Sequence, residues 1–168
     1  IDLRVRHITG VSKAAYVAEF TKILLDNDEA VLLAGWHRDV YDIWRKSFAD
    51  YNPVWYTGTE SVTQKNASKT AFVNGETKLM IISLVSGIGL DGFQDVCSNV
   101  VLGELHYSPQ VHKQLIARLD RPGQKNRVTA FYPVSNGGSD PAMINILGLK
   151  SSQAFGIVDP GKELAGQY

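Results

Sequence analysis

Cysteine is almost absent from this chain, because Cys97 is the only one among 168 residues. A single thiol excludes a disulfide between two cysteines of the chain and any zinc site built from several cysteines. An excess of charge is also missing, since 17 basic residues balance 17 acidic ones. A chain with no net charge has no overall field that attracts nucleic acid or an anionic membrane, so such contacts require a local patch.

Long apolar runs are missing as well. No stretch approaches the roughly 20 apolar residues that span a bilayer, and the N-terminus lacks the pattern of a signal peptide. The four histidines show neither HExxH nor another clustered metal-binding spacing, so we predict no metal site. With the lone cysteine, these absences predict a cytoplasmic protein that has no membrane partner.

What is present is an alternation of short apolar runs with segments of helical periodicity. This order predicts an α/β fold with a doubly wound, mainly parallel sheet and helices on both faces. We expect one domain over residues 1–168, with linker or tail at about 1–10 and 155–168. The predicted strands are 30–36, 53–58, 78–84, 99–105 and 127–134. The predicted helices include 17–25, 39–48, 61–75 and 140–150, and another ends within 112–124. Ser61 is the predicted N-cap of 61–75, and Asp140 is the predicted N-cap of 140–150.

A glycine-rich loop, VSGIGLDG, follows the predicted strand 78–84. Gly87 and Gly89 allow a ligand to approach the backbone closely, and Ser86 and Asp91 add polar groups. Ligands of doubly wound sheets bind beyond the carboxyl ends of the strands, so this loop is a candidate site. A connection without a ligand is an equally good interpretation of the glycines alone. The chain has no GxxxxGK[ST] sequence and cannot form a P-loop by itself.

The stretch HKQLIARLDRPGQ, residues 112–124, carries two arginines three positions apart, Arg118 and Arg121. This spacing predicts that both project from one face of a helix that stops at Pro122 and Gly123. We expect them, too, in a loop beyond the carboxyl ends of the strands. A planar guanidinium group at a rigid helix end suits phosphate oxygens, whereas the alternative is an ordinary solvated basic face.

This stretch resembles helicase motif VI of the SNF2 family in helicase superfamily 2, Q-x-x-x-R-x-x-R-x-G-Q. AVLLAGWHRDVYDIW resembles motif IV, and VSGIGLDGFQDVCSNVVLGELHYSP resembles motif V with its following strand. The similarity extends in order over about residues 10–155. It implies a three-layer RecA-like fold and the second lobe of an ATP-dependent translocase on double-stranded DNA. We therefore expect a longer polypeptide, whose N-terminal RecA-like lobe supplies the Walker A and Walker B motifs.

The resemblance also implies roles for the matched residues. Arg118 and Arg121 would be catalytic arginine fingers that stabilise charge on the γ-phosphoryl group of ATP. The Mg²⁺ of the nucleotide would be bound mainly by the first lobe, so the isolated domain is expected to be inactive. The residues carried over as nucleotide-binding or positioning residues are Gly89, Asp91, Gln114 and Gln124. Those carried over as contacts to the DNA backbone are Gly58, Ser86 and Gly87.

Departures from the family pattern keep other hypotheses open. Asp120 stands where the family has His, which predicts a weakened Arg121 or one held in an ion pair until ATP binds. The second hypothesis is a degenerate, non-catalytic lobe that binds DNA or a protein partner. A Rossmann-type dinucleotide enzyme is a distant third, since SGIGLDG does not match G-x-G-x-x-G. The divergence suggests a bacterial, phage or plasmid origin.

Two further side-chain types have mainly structural interpretations. The three tryptophans, Trp36, Trp44 and Trp55, lie at predicted strand ends and on a helix face, so core packing is favoured over base stacking. Cys97 has no partner in the sequence pattern and is predicted to be a small buried apolar residue.

Overall fold

Five parallel strands form the centre of the computed structural model, which describes residues 2–86 and 91–148. Their order across the sheet is β2-β3-β1-β4-β5, and every neighbouring pair is parallel. Each strand lies inside one of the five predicted apolar runs. The strands are β1 (Val31–Gly35), β2 (Val54–Tyr56), β3 (Leu79–Ser83), β4 (Asn99–Leu102) and β5 (Thr129–Phe131).

Helices connect the strands, and the first of them begins earlier than expected. Asp2 caps it by accepting a hydrogen bond from the Arg4 backbone N–H at 2.8 Å, so residues 3–10 are helical rather than a linker. The predicted tail at 155–168 lies outside the described residues. The helices are α1 (Leu3–Asp26), α2 (Arg38–Ser47), α3 (Val62–Val73), α4 (Pro109–Ile116) and α5 (Asp140–Leu147), with one 3₁₀ turn, η1 (Phe93–Asp95).

The two faces of the sheet carry separate apolar clusters. In β1, Leu32 and Ala34 belong to a cluster with residues of α3, α4 and α5, whereas Val31 and Leu33 belong to a cluster with α1 and α2. This alternation follows from the two-residue period of a strand. The sheet is therefore covered by helices on both faces, which confirms the predicted three-layer, doubly wound α/β fold.

The predictions for the ends of three helices had different outcomes. Ser61 caps α3 as predicted, and with Gln64 it forms a reciprocal capping box. Asp140 is not the cap of α5, because Ser139 holds that position and the Asp140 carboxylate accepts hydrogen bonds from Lys13 Nζ and the Ser135 N–H. Helix α4 ends at Ile116, so the prediction that Arg118 and Arg121 lie on a helix face is wrong.

Buried polar contacts fasten α1 to the carboxyl ends of the sheet. Lys13 and Asp140 form a fully enclosed ion pair at 2.7 Å, and Arg6 donates to the Leu105 carbonyl at 3.1 Å. Glu104 is also buried, and it accepts from the backbone N–H groups of Trp36 and His37 at 2.6 and 2.9 Å. No helix within the described ranges is long and apolar enough to cross a membrane.

The tryptophans differ from one another in burial. Trp44 is fully buried, as predicted, and its indole N–H donates to the Ala14 carbonyl at 3.0 Å. Trp36 is 40% exposed at the end of β1, so its prediction as a core residue is wrong. Cys97 is buried as predicted, and burial raises the pKa of its thiol to about 12.

Candidate functional site

Arg118 and Arg121 lie in the connection between α4 and β5, at the edge of the sheet where the parallel strands begin. The expectation that they lie beyond the carboxyl ends is therefore wrong, because α4 has carried the chain back across the sheet. We call residues 117–124 the arginine turn. Its first half keeps helix-like hydrogen bonds from the N–H groups of Arg118 and Leu119, at 3.1 and 3.0 Å.

Arg121 is paired with an aspartate from another part of the chain. Its Nη1 donates to Asp91 Oδ1 at 3.1 Å, with the two side chains 34% and 76% exposed. The structure thus brings together two of the predicted site residues. Within residues 2–86 and 91–148, Asp120 makes no ion pair with Arg121, and the Arg118 guanidinium has no hydrogen-bonding partner.

Two hydrogen bonds hold the arginine turn against the segment that precedes β4, and a third lies within the turn. Gln124 Nε2 donates to the carbonyls of Cys97 at 2.8 Å and Leu119 at 3.1 Å. Gln94 Nε2 donates to the Pro122 carbonyl at 3.4 Å. Gly123 has φ of 99°, and a Cβ placed there would lie 3.0 Å from the Asp95 carboxylate. The backbone of the turn is therefore fixed, while its arginine side chains reach solvent.

The other predicted nucleotide-binding residues are not all gathered at this turn. Gln124 has its amide committed to backbone groups, which makes it a structural anchor of the turn. Gln114 is exposed on α4, and its side chain contacts no other described polar group. Gly89 lies outside the described residues.

A polar hollow of about 560 Å³ adjoins the arginine turn at the same edge. Its walls are residues 27–30, 94–99, 124–127 and 129. Lys125 and Arg127 contribute positive charge there, and Asp28, Glu29 and Asp95 contribute negative charge. No group of three or more His, Cys, Asp or Glu side chains in the described part of the chain is arranged to hold a metal ion. With three acidic and two basic side chains on its walls, the hollow has no excess of positive charge that would attract an anion such as polyphosphate.

The predicted DNA contacts lie at the opposite edge, where the strands end. We call residues 57–60, directly after β2, the Gly58 turn. Gly58 is exposed, and nothing lies within 4 Å of a Cβ built on it. Ser86 follows the neighbouring strand β3, and its hydroxyl donates to the Tyr56 carbonyl at 3.4 Å. The structure therefore places Gly58 and Ser86 after neighbouring strands at the same edge of the sheet, while Gly87 lies outside the described residues.

Glu60 closes the Gly58 turn, although it was not among the predicted site residues. Its carboxylate accepts from the Thr57 N–H at 2.8 Å and from the hydroxyls of Thr57 and Thr59 at 2.7 and 2.6 Å. Burial alone raises the pKa of Glu60, but these hydrogen bonds outweigh it and lower the pKa below 4.5. In the sequence, the T-x-x-E spacing of residues 57–60, which is typical of a capping box, indicates this contact.

Two solved structures share this arrangement of strands and helices. The C-terminal part of the Fun30 ATPase domain matches with a TM-score of 0.70 and 19% identity, over 80% of this chain and 44% of that one. The chain therefore folds as a RecA-like lobe. Dbp5 L327V from S. cerevisiae, bound to RNA and ADP BeF3, matches the lobe with a TM-score of 0.64 and 16% identity, over 82% and 37% of the two chains.

These comparisons confirm the RecA-like fold predicted from the sequence. The lobe spans less than half the length of either solved structure it matches. No protein-family model matches it. Because both identities are below 20%, the similarity shows the fold and does not assign roles to individual residues.

Proposed function

We propose that this lobe is the second motor lobe of an ATP-dependent translocase or remodeller of the SNF2 type, acting on double-stranded DNA. The observation that carries the proposal is the arginine turn. It presents Arg118 and Arg121 from a backbone fixed by Gln124, on a fold shared with part of an ATPase domain. The N-terminal RecA-like lobe of the same polypeptide is the proposed partner that binds ATP and Mg²⁺.

Arginine suits the proposed role because its guanidinium group stays charged and presents several N–H donors to phosphate oxygens. Arg118 and Arg121 would stabilise the negative charge on the γ-phosphoryl group during transfer to water. Gln124 would act by positioning the turn, and Asp91 and Gln114 remain proposed nucleotide contacts. Gly89, which lies outside the described residues, is the remaining proposed nucleotide contact.

The DNA backbone is proposed to meet the carboxyl edge, at Gly58, Ser86 and Gly87. The exposed Gly58 allows a phosphate to approach the backbone. The Ser86 hydroxyl would exchange its 3.4 Å bond to the Tyr56 carbonyl for one to a phosphate oxygen, which reads no base. Nucleotide and DNA would thus bind at opposite edges of one sheet. The cytoplasmic location and the bacterial, phage or plasmid origin remain predictions from the sequence.

The test is ATP hydrolysis by the full polypeptide that carries this lobe, with and without duplex DNA. We expect stimulation by duplex and a loss of about 10³-fold or more in kcat for Arg121→Ala, with ATP binding largely retained. Arg127→Ala is the matched control, because Arg127 is an exposed arginine in the same connection, and we expect a change below about threefold. The 168-residue chain alone should hydrolyse no ATP.

The alternative is a degenerate, non-catalytic lobe that binds DNA or a protein partner. The contact between Asp91 and Arg121 favours it, since the carboxylate neutralises one of the proposed fingers. Wild-type polypeptide that binds duplex DNA but hydrolyses no ATP would replace the motor proposal with this one. An Arg121→Ala variant that hydrolyses ATP like wild type would reject the catalytic role of that residue.

A further inference from the structure

The contact between Asp91 and Arg121 joins two segments that are 30 residues apart in the chain. We propose that Asp91 is a positioning residue that keeps Arg121 neutralised and turned away from the phosphates until a polyphosphate displaces the carboxylate. This inference rests on the proposed function, and it concerns the regulation of the same site. This role of Asp91 applies to the state in which no nucleotide is bound.

Electrostatics gives the direction of the effect. A carboxylate 3.1 Å from Nη1 cancels the charge that Arg121 would offer to a phosphate. The same carboxylate adds a negative charge that repels the incoming anion. Replacing Asp91 by Asn removes both effects while retaining a side chain of almost the same shape, so it should favour polyphosphate binding.

The exposure of the pair makes the contact reversible. Asp91 is 76% exposed and Arg121 is 34% exposed, and ion pairs in such surroundings contribute little to stability. A polyphosphate carries several negative charges and can bind two nitrogens of one guanidinium group at once. It should therefore outcompete a single carboxylate oxygen without unfolding anything.

Only a side chain has to move for this exchange. Gln124 is bonded to the Cys97 and Leu119 carbonyls, and Gln94 is bonded to Pro122, so the backbone of the arginine turn stays in place. Asp91 lies on the segment that leads into η1, against which the turn packs. Release of Arg121 thus requires rotation about its side-chain bonds rather than rearrangement of the turn.

The experiment compares two neutral variants of the 168-residue chain, Asp91→Asn and Asp120→Asn. Each removes one negative charge close to Arg121, but only the first removes the observed contact. Tripolyphosphate is titrated into the ¹⁵N-labelled chains without Mg²⁺, and binding is followed on the Arg121 Nε–H signal, assigned by its loss in Arg121→Lys. We expect Asp91→Asn to shift this signal before titration and to lower the Kd about two- to fivefold, and Asp120→Asn to do clearly less.

Each other outcome overturns the inference. Equal affinities for the two variants would show that only net charge matters. An Arg121 signal unaffected by Asp91→Asn would show that the contact does not form in solution, and absence of binding in all chains would show that the turn is no polyphosphate site. The proposed function is tested separately, by DNA-stimulated ATP hydrolysis in the full polypeptide.

Discussion

The arginine turn and the Gly58 turn are held in place in different ways. Gln124, Gln94 and Arg121 tie the arginine turn to residues 27 to 30 positions away in the chain. Glu60 closes the Gly58 turn through residues no more than three positions away. The first turn is therefore a product of tertiary packing, whereas the second is built almost entirely from its own short sequence.

This difference has a consequence for how each turn meets a ligand. In the arginine turn the backbone is fixed by contacts to other segments, and the long arginine side chains extend from it toward a ligand. In the Gly58 turn the backbone itself is accessible, because Gly58 has open space where a side chain would lie. A fixed support suits a group that must be placed accurately, while an open backbone suits contact with phosphates irrespective of base sequence.

The largest effect should come from the amide that anchors the arginine turn. Gln124→Ala leaves the Cys97 and Leu119 carbonyls without their side-chain donor, so we expect a loss of about 1–3 kcal/mol in the free energy of unfolding. Gln114→Ala is the control, because Gln114 is exposed on α4, and its loss should stay within about 0.5 kcal/mol. Urea denaturation of both variants checks this. Similar losses would mean that long-range anchoring of the turn is unimportant.

A smaller effect is expected from a pair of glycine substitutions. Gly123→Ala places a side chain at φ of 99° and close to Asp95, so we expect a loss of about 1–2 kcal/mol. Gly58→Ala is the matched change in the other turn, where φ is not positive and the space is open, and it should be nearly neutral. Thermal unfolding compares the two. A destabilised Gly58→Ala would contradict the open geometry of the Gly58 turn.

Glu60→Gln should weaken the Gly58 turn in a pH-dependent manner. The folded-state pKa of Glu60 lies below its ordinary 4.5, so its carboxylate contributes stability that is present above about pH 4.5 and is lost as pH falls through the folded value. We expect the variant to be less stable at pH 7 by about 0.5–1.5 kcal/mol and to converge with wild type in acid. Unfolding curves at both pH values check this, with Glu76→Gln as an exposed control. A difference that persists in acid would exclude the charge as its cause.

The smallest effect on stability is expected for Asp91→Asn. The pair it removes is exposed, so the free energy of unfolding should change by no more than about 0.5 kcal/mol. Differential scanning calorimetry on wild type and variant measures this change. A loss well above that value would mean that Asp91 supports the fold, and any change in polyphosphate affinity would then have a structural origin.

The sheet itself was predictable because its strands are buried on both faces. The run 78–84 contains four consecutive apolar residues, 79–82, which are all buried, and the structure places β3 inside that run. The Ser61 cap was predictable for a similar reason, since its partner Gln64 is only three residues away. Asp140 was misread because Lys13, which is 127 residues distant, competes for its carboxylate. Local patterns were reliable where local contacts decide the structure.

The sequence by itself determined the alternation of helices and strands and the motif-like spacing of Arg118 and Arg121. Apolar periodicity and capping residues act over a few positions, so these features can be read along the chain. Only the tertiary structure decided that the arginines lie at the edge where the strands begin and that Arg121 meets Asp91 rather than Asp120. Which charges come within 4 Å depends on how the layers pack, and no spacing in the sequence encodes that distance.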